Sequence, residues 1–147
     1  MMKVIALTMA LLFLTPLTFE SGKVRIYSGS RRTELDVELA LTMSQRTQGL
    51  MYREHLPENS GMFFLYVNEV SGSFWMKNTY IPLSIAFFDS GGRIIYITDM
   101  EPLTTEPHGP GRPFTAALEV NRGWFEKNGI SVGDIIEVFR GREQIFP

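Results

Sequence analysis

The feature that most restricts this chain is a strict alternation. In residues 33–41, Leu35, Val37, Leu39 and Leu41 are separated by Glu34, Asp36, Glu38 and Ala40. A period of two puts all the leucines and the valine on one side of a strand, and no helix can do the same. Residues 23–27 alternate in the same way around Val24 and Ile26. Between the two runs, Ser28-Gly29-Ser30-Arg31-Arg32 is a turn cluster, so together they predict a hairpin. The acidic side of its second strand is expected to face water.

Short β-type runs continue along the chain. Residues 62–67 are continuously apolar, too short for a helix, and read as a buried strand. Residues 81–89 and 93–99 flank Ser90-Gly91-Gly92, a hairpin turn, and 114–120 and 135–139 supply further strands. Phe74-Trp75-Met76-Lys77-Asn78-Thr79 also reads as extended, with Trp75, Lys77 and Thr79 on one side. Thr42 or Ser44 can cap a helix running to about Tyr52, and residues 122–128 read as a second one closed by Gly129. Residues 101–113 hold Pro102, Pro107, Pro110 and Pro113, four of the eight prolines, and must be loop. The sum predicts a mainly β domain, an antiparallel two-sheet sandwich or small barrel with two short helices. Those helices are too few and too short to serve as crossovers of a parallel sheet.

Composition narrows the function classes. At 147 residues the chain has room for one domain, and 12% aromatics can build its core. The formal net charge of -2 leaves no basic footprint for nucleic acid. The absence of cysteine removes disulfides, thiol catalysis and thiolate metal sites. Lys3 followed by the apolar residues 4–17 reads as an export signal or an N-terminal anchor covering residues 1–22, which places the protein in the periplasm or outside the cell. The remaining domain, residues 23–147, is expected to contain no membrane span.

Three constellations could carry chemistry. Trp75 beside Lys77 can form a stacking platform with a charged donor, or Trp75 can be core with Lys77 reaching water. Arg46 and Arg53 lie two helical turns apart on one side of a regular helix, where they can clamp an anion or pair with surface acids. Asp99, Glu101, Glu106 and His108 surround the proline-rich loop, but their spacing matches no metal signature, and no metal or other cofactor is expected. His55 and His108 are the two histidines, neither sits in a nucleophile setting, and Gly-x-Ser-x-Gly is absent.

Several blocks carry a resemblance: Val37-Glu38-Leu39-Ala40, then Arg46, Gly49-Leu50-Met51 and Arg53, then Gly61-Met62. Phe74-Trp75-Met76-Lys77-Asn78-Thr79 with Ile81-Pro82-Leu83 follows, then Leu118-Glu119-Val120 and Gly129-Ile130 with Gly133-Asp134. Over about residues 33–139 the chain resembles the DUF192 family, a domain of unknown function often found behind an export signal. The resemblance implies a jelly-roll type of sandwich and supplies no activity. The chain departs from the family at Ser84, where an acid is common.

The resemblance brings forward Arg46, Arg53, Trp75, Lys77, Asn78 and Glu119, either as a ligand site or as an internal network in which Lys77 pairs with Glu119. The leading expectation is a binding module in the cell envelope for a small polar, anionic or saccharide-like ligand, or for a partner protein. The alternatives are an envelope hydrolase using Glu119 or Asp99 with help from His108, and a structural accessory domain without a small-molecule site.

Overall fold

The computed structural model describes residues 16–147. The apolar run expected to direct export lies almost wholly outside the described residues. Eight strands form one mixed sheet: β1 (Glu20–Ser28), β2 (Arg31–Ala40), β3 (Ser60–Val70), β4 (Leu83–Phe88), β5 (Ile94–Met100), β6 (Phe114–Asn121), β7 (Ile135–Arg140) and β8 (Glu143–Phe146). Their spatial order is β5-β4-β6-β3-β2-β1-β7-β8. Among the described residues two short helices interrupt them, α1 (Met43–Gln48) and α2 (Trp124–Lys127). No helix among the described residues is long and apolar enough to cross a membrane.

The predicted hairpin is β1–β2. Its register sets Lys23 opposite Asp36 and Arg25 opposite Glu34, and both pairs are ion-paired across the strands. The first strand begins at Glu20, so residues 20–22 pair with Leu39, Glu38 and Val37, and the expected domain boundary at residue 22 falls within β1.

The sheet is a single curled surface, not two stacked antiparallel sheets, and β2 and β3 run parallel. A parallel pair needs a crossover. Helix α1 sits in that crossover, a role it was expected to be too short to fill. Periodicity fixes which face a residue takes and says nothing about strand direction.

Curling places one apolar cluster inside the sheet, with Val24, Leu35, Val37, Leu39, Phe63, Phe88, Leu118, Ile136, Val138 and Phe146 among its members. One corner is drawn together where Ile94 N–H donates to Asp134 O and Ile136 N–H to Gly92 O. A second cluster covers the outer face of the middle strands, with Met62, Phe64, Leu83, Ile85, Phe87 and Ala117. Strands β4 and β6 and the first half of β3 are therefore covered on both sides, which explains why residues 62–65 show no alternation; the strand expected to be buried over residues 62–67 is so only in that half, since Val67 is 94% exposed.

Two segments lie over that outer face. One is the β2–β3 connection carrying α1, and the other is the β3–β4 connection, residues 71–82. The second segment is not a strand. Phe74 alone bridges to His108, and Thr79 N–H turns back to Met76 O. The proline-rich loop backs this segment through Met76 N–H to Thr104 O and Leu103 N–H to Thr79 O.

Candidate functional site

Helix α1 starts where the sequence allows it. The Thr42 hydroxyl accepts from Gln45 N–H, and the Gln45 side chain accepts from Thr42 N–H in return. It stops earlier than expected, at Gln48, because Gly49 takes a positive φ of 50° and caps it. The turn at Gly49 buries Leu50 and carries Arg53 out of the helix, so Arg46 and Arg53 share no helical face. Arg53 makes a two-pronged ion pair with Glu38 and lies over the Phe19 ring. Of the two alternatives for these arginines, a shared anion clamp or pairing with acids, Arg53 shows the second.

Between the two covering segments lies a cleft of about 490 Å³. Phe64, Tyr66 and Val70 of β3 and Glu119 of β6 form its floor. Met43, Arg46, Thr47 and Met51 stand on the α1 side, and Ser73, Phe74, Trp75 and Thr79 on the other. The walls are tied at one end, where Tyr52 N–H donates to Asn78 O at 2.8 Å and Asn78 Nδ2 donates to Tyr52 Oη at 3.0 Å. Asn78 sits at φ 56°, a conformation that asparagine tolerates better than most residues.

The structure thus brings Arg46, Trp75 and Glu119 to one cleft and leaves Arg53, Lys77 and Asn78 outside its lining. Arg46 is held firmly: its Nη1 donates to Leu41 O at 2.6 Å and Leu65 O at 3.0 Å, and its guanidinium lies 4.7 Å from the Tyr66 ring centroid. Trp75 is 49% exposed at the rim, with the Lys77 ammonium 5.3 Å from its ring. Lys77 stands outside on that ring, so the Lys77–Glu119 pair of the network reading does not exist.

Glu119 is the unusual group. It is only 5% exposed, desolvation is the cause acting on its carboxyl, and its oxygens are not among the fully enclosed atoms without a partner, which among the described residues are His108 Nε2 and Thr115 Oγ1. Burial pushes its pKa up to about 8. Burial likewise raises the Tyr66 phenol; Arg46 opposes that shift and Glu119 adds to it.

The other candidates lie elsewhere. Asp99 accepts from the Ser84 hydroxyl at 2.6 Å, directly across the β4–β5 ladder. An acid therefore faces Ser84 from the neighbouring strand. Glu101 pairs with Arg122, and His108 is engaged with Phe74, with its Nε2 buried and without a partner. Among the described residues no three His, Asp or Glu side chains gather as metal ligands.

Sequence reasoning missed Tyr66, Phe64, Met43 and Met51 as cleft residues. Tyr66 and Phe64 are hidden in a run apolar throughout. Glu119, by contrast, leaves a signal of its own, as the single acid within the apolar strand Ala116-Ala117-Leu118-Glu119-Val120.

Solved structures similar to this chain include the following two. One, from Sinorhizobium meliloti 1021 and described as a "putative transcription regulator", is 36% identical with a TM-score of 0.81, over 84% of this chain and 98% of that one. The other is a protein of unknown function from Novosphingobium aromaticivorans DSM 12444, 35% identical with a TM-score of 0.75, over 78% of this chain and 83% of that one. No curated protein matches the chain. The model of one family, DUF192, described as "Uncharacterized ACR", matches residues 24–138, most of the sheet and both covering segments, and the chain belongs to that family.

Proposed function

We propose that this protein is a small-ligand binding module whose site is the cleft between α1 and residues 71–82, and that it works outside the cytoplasm, as the apolar run in residues 4–17 supports. One observation carries the reading: a buried carboxyl with no protein partner sits on the floor of that cleft. Its oxygens are not sealed off, since the fully enclosed polar atoms without a partner among the described residues are His108 Nε2 and Thr115 Oγ1, so a molecule entering this concave, aromatic-lined site can bond them.

A purely structural role would leave every candidate paired internally. Arg53 and Asn78 are so paired, and Glu119 is not. Nucleic acid is a poor match for this surface, since the net charge is -2 and Lys23, Arg25, Arg53, Arg122 and Arg140 are ion-paired with acids. The raised carboxyl also favours a second reading, a general acid in hydrolysis. That reading lacks a second carboxylate in the cleft, because Asp99 is bonded to Ser84 elsewhere.

The test is chemical-shift mapping with a library of small polar fragments. Binders are expected to perturb Glu119, Tyr66 and Trp75 together. Perturbations clustering away from these residues, or no binder at all, would overturn the proposal.

A further inference from the structure

The cleft contains one acid and one cation, and they do not satisfy each other. Arg46 donates through Nη1 to two backbone carbonyls, and its guanidinium lies over the Tyr66 ring. Around Glu119, β3 contributes Met62 opposite it in register and Tyr66 on the floor, and β4 contributes Ile85 opposite. The segment 71–82 contributes Phe74, Trp75 and Thr79 to the cleft. Arg46 and Tyr66 are thus the charged and titratable groups that share the cleft with this carboxyl, and neither hydrogen-bonds to it.

Resting on the binding reading above, we infer that the ligands of this cleft carry a primary ammonium group that seats on Glu119, with an apolar or aromatic body lying between Met51 and Trp75. A carboxyl that burial keeps neutral ionises most readily against an opposite charge that also donates hydrogen bonds to it. A neutral hydroxyl or carbonyl offers a weaker bond, and an anion accepting from the protonated carboxyl gains no opposite charge from it. Aromatic walls suit an ammonium as well, since ring faces attract cations, and Tyr66 and Trp75 already hold Arg46 and Lys77 in this way.

The proton balance follows. Empty, the carboxyl holds a proton at neutral pH, because burial has raised its pKa. When R–NH3+ binds, the carboxyl becomes carboxylate, one ion pair forms and one proton goes to solvent.

The experiment is isothermal titration of the full chain with three probes of similar shape: benzylamine, benzyl alcohol and benzoate. Benzylamine is expected to bind about tenfold or more tighter than the alcohol, the scale of a charge-assisted hydrogen bond. Runs in two buffers of different ionisation enthalpy should show about one proton released per amine near neutral pH. Affinity for the amine should rise as pH approaches the carboxyl's own pKa. In Glu119→Gln the preference and the proton release should both vanish; the proton count on the unmodified chain stands even if that variant folds poorly. Equal or better binding of the alcohol or benzoate, or amine binding without proton release, would overturn the ammonium inference and leave the cleft reading intact. If none of the three binds while other fragments map to the cleft, the inference also fails. If nothing of any class maps there, the binding reading beneath it fails first.

Discussion

Glu119 ties the stability of this protein to pH through a single carboxyl. Its ordinary pKa of 4.5 applies in the unfolded chain, and burial raises it to about 8 in the folded one. Between those values the folded state holds a proton that the unfolded state has lost. Stability from this group is therefore fullest below the lower value and falls as pH rises toward the higher one, by roughly 1.4 kcal/mol per pH unit. Glu119→Gln keeps the shape and removes the titration. Urea unfolding at about pH 5.5 and about pH 7.5 should show the variant gaining on the unmodified protein at the higher pH. Parallel behaviour of the two proteins would show that burial does not hold the proton. At this scale the sequence was partly legible. A lone acid in an apolar strand announces a buried charge, but its partner cannot be read from spacing. Lys77 has the right charge, and its backbone carries it to the wrong side of Trp75.

Elements were more legible than their directions. Alternation gave β1 and β2, and turn glycines gave β4 and β5. Strand β8 escaped notice because Glu143-Gln144-Ile145-Phe146 is short and half polar. The segment at Phe74 looked extended because it is aromatic, yet it leaves the sheet to wall the cleft. The parallel β2–β3 pairing is a tertiary outcome with no local signature. The position of β3 against β6 depends on a glycine: a Cβ at Gly61 would stand 2.5 Å from the Glu119 carbonyl oxygen. Gly61→Ala should cost about 1–3 kcal/mol as the two strands are forced apart. Gly72→Ala, with nothing within 4 Å, is the matched control and should change stability by less than about 0.5 kcal/mol. Equal denaturation midpoints for the two variants would refute the close approach.

Across the whole molecule, stability should be graded by position in the sheet. Strands β4 and β6 and the first half of β3 are covered on both faces, whereas β8 is short and lies at an edge. Hydrogen exchange followed by NMR should therefore find the slowest amides in β6 and the first half of β3 and faster ones in β8. Equally slow exchange in β8 would mean that the edge is locked as tightly as the centre. This grading has a bearing on the site. Both flanks of the opening are connections, one entering β3 and one leaving it, while the floor belongs to the strands least able to move. Lengthening, shortening or rewording either connection would reshape the aperture without disturbing a rung of the ladder beneath. A lineage using this scaffold can retune what it admits while keeping the same foundation.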